Sequence, residues 1–176
     1  MGASLVLAGS NFPRCADHSL SRQRAGGALA QELVGRVPLV YASARNTAIA
    51  QNWKIKFNET GKIPAFYNIV PELNHNEMTS FDVQPKTRVL TNKFHFIFIE
   101  DAEDDIRVQK RMGIMKDMFH DRKLPVEVVR LVGVNRLHKI FSSLSLADWT
   151  CLHTSTLYGT DPENIPMIED FKRRMA

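Results

Sequence analysis

Two periods of apolar spacing alternate along most of this chain. Val37 to Ala42 is an apolar run rich in β-formers and reads as a buried strand. Thr47 to Glu59 changes to a spacing of four, with Ile49, Trp53 and Phe57 on one helical face, and Gly61 is placed to end that helix. Ile63 to Tyr67 reads as a second strand, and Pro71 opens a short helical segment from Glu72 to Ser80. Lys93 to Glu100 is the clearest strand, with Phe94, Phe96, Ile97, Phe98 and Ile99 in succession. The acidic turn Asp101 to Asp105 suits a helix N-terminus. That helix runs to about His120, with Ile106, Met112, Met115 and Phe119 facing inward. Pro125 to Val132 is a fourth strand. A long helix follows from Asn135 to Tyr158, with Ile140, Phe141, Leu144, Ala147, Trp149 and Leu152 on its inner side and Gly159 at its end. Met167 to Met175 is a short last helix.

Strands that alternate with helices predict an α/β fold: a three-layer αβα sandwich around a parallel sheet of four to five strands. In such sheets ligands bind at the carboxyl ends of the strands. The loops after Ala42, Tyr67 and Glu100 are therefore the first places to seek a site. The chain before Arg36 is rich in Gly, Ala, Ser and Arg and has weak periodicity. Ser4 to Ala8 is compatible with a short strand and Ala28 to Val34 with a helix. Residues 1–27 are taken as a poorly defined N-terminal segment and 28–176 as the domain.

The length of 176 residues suits one domain, and 44% apolar with 24% charged residues suits a folded one. The net charge of +4 favours a small anionic ligand. Nucleic acid is disfavoured, because the basic residues are scattered and no recognition motif accompanies them. Cys15 and Cys151 are far apart and form no CxxC pair. They read as small buried side chains in a reducing, cytoplasmic setting. No apolar run approaches the ~20 residues of a membrane helix.

Three features carry candidate chemistry. The first is Pro71-Glu72-Leu73-Asn74-His75-Asn76-Glu77, which sets a histidine among carboxylates and amides just after a strand. A capped helix start explains part of it, but a cap needs only one such residue. The second is Glu59, a carboxylate at the negative end of a helix dipole, where a cation is preferred. The third is Lys172, whose place in a last helical turn is also what the dipole favours. Ser43 to Thr47 is a polar helix start that reads as a cap and secondarily as an anion seat. His18, His95, His120, His138 and His153 have no matching partners and read as surface or core residues. No pair has metal-site spacing, so no metal is expected.

Taken together, Gly35 to Ser43, Trp53-Lys54 with Asn58-Glu59, the Asn74-His75-Asn76-Glu77 cluster, and the tail with Gly159, Asp161-Pro162 and Ile168-Glu169 before Lys172 resemble one family. The chain from about Ala28 is similar to the C-terminal sugar isomerase (SIS) domain of the bifunctional phosphoglucose/phosphomannose isomerases. The resemblance implies an SIS-like fold and a homodimeric enzyme with two SIS domains per chain. It implies interconversion of glucose 6-phosphate or mannose 6-phosphate with fructose 6-phosphate through a cis-enediolate. The family's base glutamate matches Glu59, its ring-opening histidine matches His75, and the lysine near its C-terminus matches Lys172. In the family the histidine comes from the neighbouring subunit, and no cofactor is required. The family's N-terminal SIS domain, which binds the substrate phosphate, has no counterpart in residues 1 to 36. The chain alone is therefore expected to be weakly active or inactive. The alternatives are a non-catalytic sugar-phosphate-binding module and an inactive fragment.

Overall fold

The computed structural model describes residues 15–175. The strand expected at Ser4 to Ala8 lies outside them. The elements are α1 (Cys15–Glu32), β1 (Val37–Ser43), α2 (Thr47–Glu59), β2 (Phe66–Val70), α3 (Glu77–Ser80), α4 (Arg88–Thr91), β3 (Phe94–Glu100), α5 (Ile106–Asp121), β4 (Val126–Arg130), α6 (Arg136–Tyr158) and α7 (Pro166–Met175). The four strands are parallel, in the order β2-β1-β3-β4. The boundary expected at residue 28 falls inside α1, which runs unbroken across it.

Side chains of the two central strands point alternately to opposite faces, and this divides the core in two. Val40, Ala42, Ile97 and Ile99 pack with Trp53 and Phe57 of α2, Leu29 and Leu33 around the end of α1, and Ala147 and Cys151 of α6. Leu39, Tyr41, Phe96 and Phe98 pack with Met112, Met115 and Phe119 of α5, and with Leu73 and Phe81. Both faces of β1 and β3 are covered, so their sequences read as continuous apolar runs.

Several expectations change on contact with tertiary structure. The second strand lies at Phe66–Val70 rather than Ile63 to Tyr67. Ile63 is committed to the end of α2: its N–H donates to the Phe57 carbonyl at 3.2 Å, and its carbonyl accepts from Asn58 Nδ2 at 3.0 Å. Pro64 adds no N–H to a ladder, and pairing with β1 begins at Leu39 opposite Phe66. Gly61 does not supply the left-handed turn; Lys62 does, at φ 58°. Gly61 serves by its lack of a side chain, since a Cβ there would sit 2.9 Å from the Phe57 carbonyl oxygen. The segment Glu72 to Ser80 is a 3-10 turn, Glu72–Asn74, followed by α3.

The inner faces of two helices also differ from expectation. Ile106 is 74% exposed, and burial in α5 begins at Met112. Phe141 is 66% exposed and Leu152 40%; Ala147 is buried as expected and Ile140 packs against the core, but the rest of the buried face of α6 is Lys139, Ser143, Leu146, Thr150, Cys151 and Thr154. The cause is the close crossing of α1. A Cβ on Gly26 would come within 2.7 Å of Trp149 Cβ and 2.8 Å of the Thr150 nitrogen. A crossing that tight selects the small residues of α6, not the largest apolar ones. Cys151 is fully buried there, and burial pushes its thiol pKa well up. Among the described residues no helix is long and apolar enough to cross a membrane.

Candidate active site

The crevice at the carboxyl ends of β1 and β3 is the topological switch point of the sheet, because the chain leaves β1 toward β2 on one side and returns to β3 on the other. Polar groups of the protein occupy much of it, and a cavity of ≈ 400 Å³ lined by Glu100, Asp101, Asp104, Lys116 and Arg130 opens beside them, toward β4 and α5. Ser43 Oγ donates to Asp104 Oδ1 at 2.7 Å, and Asn46 Nδ2 donates to both Asp104 oxygens at 3.2 and 3.3 Å. Asn46 makes no side-chain cap bond to α2. The polar helix start after Ser43 is thus occupied by an internal carboxylate. Beside it Asp101, its side chain fully buried, accepts from Lys139 Nζ at 2.8 Å and from Arg136 Nη1 at 3.1 Å. Burial acts to raise the Asp101 pKa, but the Lys139 ammonium, the Glu103 N–H and the Arg45 charge together outweigh it and hold the carboxyl below its ordinary value. Sequence reasoning treated Asp101 only as part of a helix start and passed over Lys139. The available signal was a lysine four residues after the Asn135 N-cap, on the side of α6 that faces the sheet.

Glu59 is elsewhere. In a β1-α2-β2 unit the helix runs antiparallel to its strands, so the last residue of α2 lies near the amino end of β2. Glu59 is exposed and lines an open groove of ≈ 630 Å³. Asn58, Thr60 and Lys62 share its side of the groove, and Ile165, Met167 and Ile168 stand opposite. Lys62 Nζ donates to the Asn164 carbonyl at 2.6 Å and ties the two walls together. Among the described residues no hydrogen bond or ion pair engages the Glu59 carboxylate.

His75 follows the carboxyl end of β2 and is exposed. The five residues of β2 therefore hold it about 15 Å from the Glu59 end of the strand, at about 3.3 Å per residue. Lys172 lies on α7, six residues beyond the Pro166 rim of the groove, and its Nζ pairs with Glu169 Oε1 at 2.9 Å. One chain thus holds Glu59 and His75 toward opposite ends of β2, with Lys172 paired to Glu169. Helix α7 buries none of its residues, and Met167, Ile168, Phe171 and Met175 leave an apolar stripe at 50–83% exposure. Of the other histidines, His95 is buried in β3 and His120 is exposed near the end of α5. The Cys15 and His18 side chains lie outside the described residues. Among the described residues no group of three His, Cys, Asp or Glu side chains could hold a metal ion.

The model of the bacterial phospho-glucose isomerase C-terminal SIS domain matches residues 22–175. The chain belongs to that family. This SIS domain is 32% identical over 155 residues to a bifunctional phosphoglucose/phosphomannose isomerase of Aquifex aeolicus, covering 88% of this chain and 47% of that protein. It is 33% identical over 149 residues to the enzyme of the same name from Caldicellulosiruptor bescii, covering 84% and 43%. The chain thus spans about half the length of the curated relatives it matches. Its fold is similar to the crystal structure of a glucose-6-phosphate isomerase like protein from Thermus thermophilus, with a TM-score of 0.63 and 16% identity, over 86% of this chain and 54% of that one.

Proposed function

We propose that this SIS domain is the base-bearing half of a sugar-phosphate aldose–ketose isomerase that interconverts glucose 6-phosphate or mannose 6-phosphate with fructose 6-phosphate. The observation that carries the reading is Glu59: a carboxylate engaged by no cation among the described residues, on the wall of an open groove in a domain of this family. Glu59 removes the proton from C2 of the open-chain aldose, the electrons shift into a cis-enediolate, and the same group returns a proton to C1. Glucose and mannose 6-phosphates share that enediolate because they differ only at C2. His75 passes a proton between the C1 hydroxyl and the ring oxygen during ring opening, as a histidine is suited to do close to neutral pH. Lys172 adds positive charge beside the developing oxyanion.

The site is composite. Glu59 and His75 lie toward opposite ends of β2, so the His75 that meets a given Glu59 comes from a second copy of the chain. Phosphate binding falls to another SIS domain such as the half of the relatives that this chain does not match. The uncovered apolar stripe of α7 supports such a neighbour. The test is a coupled assay for glucose 6-phosphate formed from fructose 6-phosphate, with the chain alone and mixed with the unmatched half of the Aquifex relative. Turnover is expected in the mixture, and Glu59→Gln is expected to lower it about 10²–10⁴-fold with folding intact. Full turnover by the Glu59→Gln protein would reject the assignment of the base. A second reading, a binding module without catalysis, is favoured by the separation of Glu59 from His75 within one chain. It predicts saturable binding of fructose 6-phosphate with no turnover in any mixture.

A further inference from the structure

The Asn74-His75-Asn76-Glu77 cluster leaves one carboxylate without a role in the reaction. Glu77 opens α3, two residues after His75, and both of its carboxylate oxygens are engaged. Its Oε1 accepts from Tyr41 Oη at 2.5 Å and its Oε2 accepts from Asn68 Nδ2 at 2.5 Å. Tyr41 belongs to the central strand β1 and is fully buried, while Asn68 belongs to the edge strand β2. Bonds to an ionised acceptor are among the strongest that neutral donors make. Burial first, and the Glu77 carboxylate second, push the Tyr41 pKa up, so the phenol keeps its proton and remains a donor.

The other side of His75 is fastened as well. Leu73 is fully buried against the α5 face of the sheet, and Asn74 Nδ2 lies 3.1 Å from Met78 Sδ and 3.3 Å from Met115 Sδ. His75 itself is exposed, and among the described residues its side chain has no hydrogen-bond partner. A short turn is thus pinned on both flanks while the imidazole between them is left free. The carboxylate satisfies the buried Tyr41 hydroxyl and at the same time ties the turn after β2 to both strands.

We propose that Glu77 is a positioning residue: clamped by Tyr41 and Asn68, it fixes the turn that presents the His75 imidazole outward. The proposal rests on the isomerase reading for the purpose of the clamp, but its mechanical part can be tested without turnover. Glu77→Gln and Tyr41→Phe are made in the full chain. Amide hydrogen exchange is followed across residues 72–80, together with the urea midpoint of the whole protein. Both variants are expected to exchange at least about tenfold faster in 72–80, with a smaller change elsewhere, since a charge-assisted bond contributes on the order of one to two decades. In the mixed assay they are expected to lower kcat about tenfold or more with KM little changed, because a wandering imidazole spoils orientation rather than binding.

Unchanged exchange in 72–80 overturns the clamp. So does acceleration spread evenly over the chain in step with a lower midpoint, which marks a purely structural bond. Retained kcat in both variants overturns the positioning role even where exchange is faster. If the unmodified protein turns nothing over in any mixture, it is the isomerase reading that fails, and exchange at 72–80 then decides the clamp.

Discussion

The carboxyl-end crevice between β1 and β3 and the largely apolar groove beside Glu59 both hold carboxylates, yet these stand in opposite conditions. In the crevice every principal group is engaged: Asp104 by Ser43 and Asn46, Asp101 by Lys139 and Arg136. In the groove Glu59 stands with no cation paired to it among the described residues, and its far wall is Ile165, Met167 and Ile168. Charges that already satisfy one another do not turn to a substrate without first breaking strong bonds. A free carboxylate beside uncovered apolar surface has its interactions still to make. The usual ligand position of a doubly wound sheet is here taken up in part by an internal polar network; Glu59, the candidate base, lies toward the other end of the sheet, while His75 follows the carboxyl end of β2.

That contrast can be tested from either side. The largest effect is expected from Asp101→Ala, which removes the buried partner shared by Lys139 and Arg136 and leaves Lys139 to Glu103 and Arg136 to Asn46 and the Arg45 carbonyl. It should lower the unfolding free energy by about 1–3 kcal/mol in urea titrations. A loss near zero would mean that the network is not structural and would reopen the crevice as a site.

The next effect is on pH dependence. Asp101 titrates below its free value of 3.8 in the folded state. An acid with a depressed folded pKa stabilises the native state fully above the unfolded value, and that stability is lost as pH falls through the folded one. Asp105 behaves alike: Arg107 holds its pKa down to about 2. Stability should therefore hold down to about pH 4 as far as these groups are concerned and decline below it. Asp101→Asn should flatten that decline in denaturation midpoints taken from pH 5 to pH 2.

The smallest effect belongs to the open region. Lys172→Met removes an exposed i,i+3 pair with Glu169, and such pairs contribute little. The urea midpoint should not move measurably, while turnover in the assembled enzyme should fall. A marked loss of stability would show that α7 is held by this chain after all.

Much of the framework was legible in the residues. Val37 to Ala42 and Lys93 to Glu100 read as strands because both faces of each are apolar, and α2 read to its observed ends because Ile49, Trp53 and Phe57 recur every four residues. The cluster around His75 was legible as unusual, and Glu59 as a charge misplaced on its helix dipole. Glu77 was not singled out within its cluster, because Tyr41 and Asn68, 36 and 9 residues away, had no visible reason to meet it. Lys139 and Asp101 escaped for the same reason, since a lysine in an otherwise mixed helix looks like a solvated one.

Local pattern by itself determined β1, α2, β3, α5, β4 and α6, because periodicity and the conformational limits of Gly and Pro act within a few residues, while α4 and the first half of α1 carried no such pattern. Tertiary structure alone decided which α6 face is buried, where β2 enters the sheet and which carboxylates are taken up by cations. Those outcomes depend on how closely α1 and α6 cross, on the register between β1 and β2, and on charges that meet across more than thirty residues of chain. Contacts of that kind exist only once the sheet has brought their elements side by side.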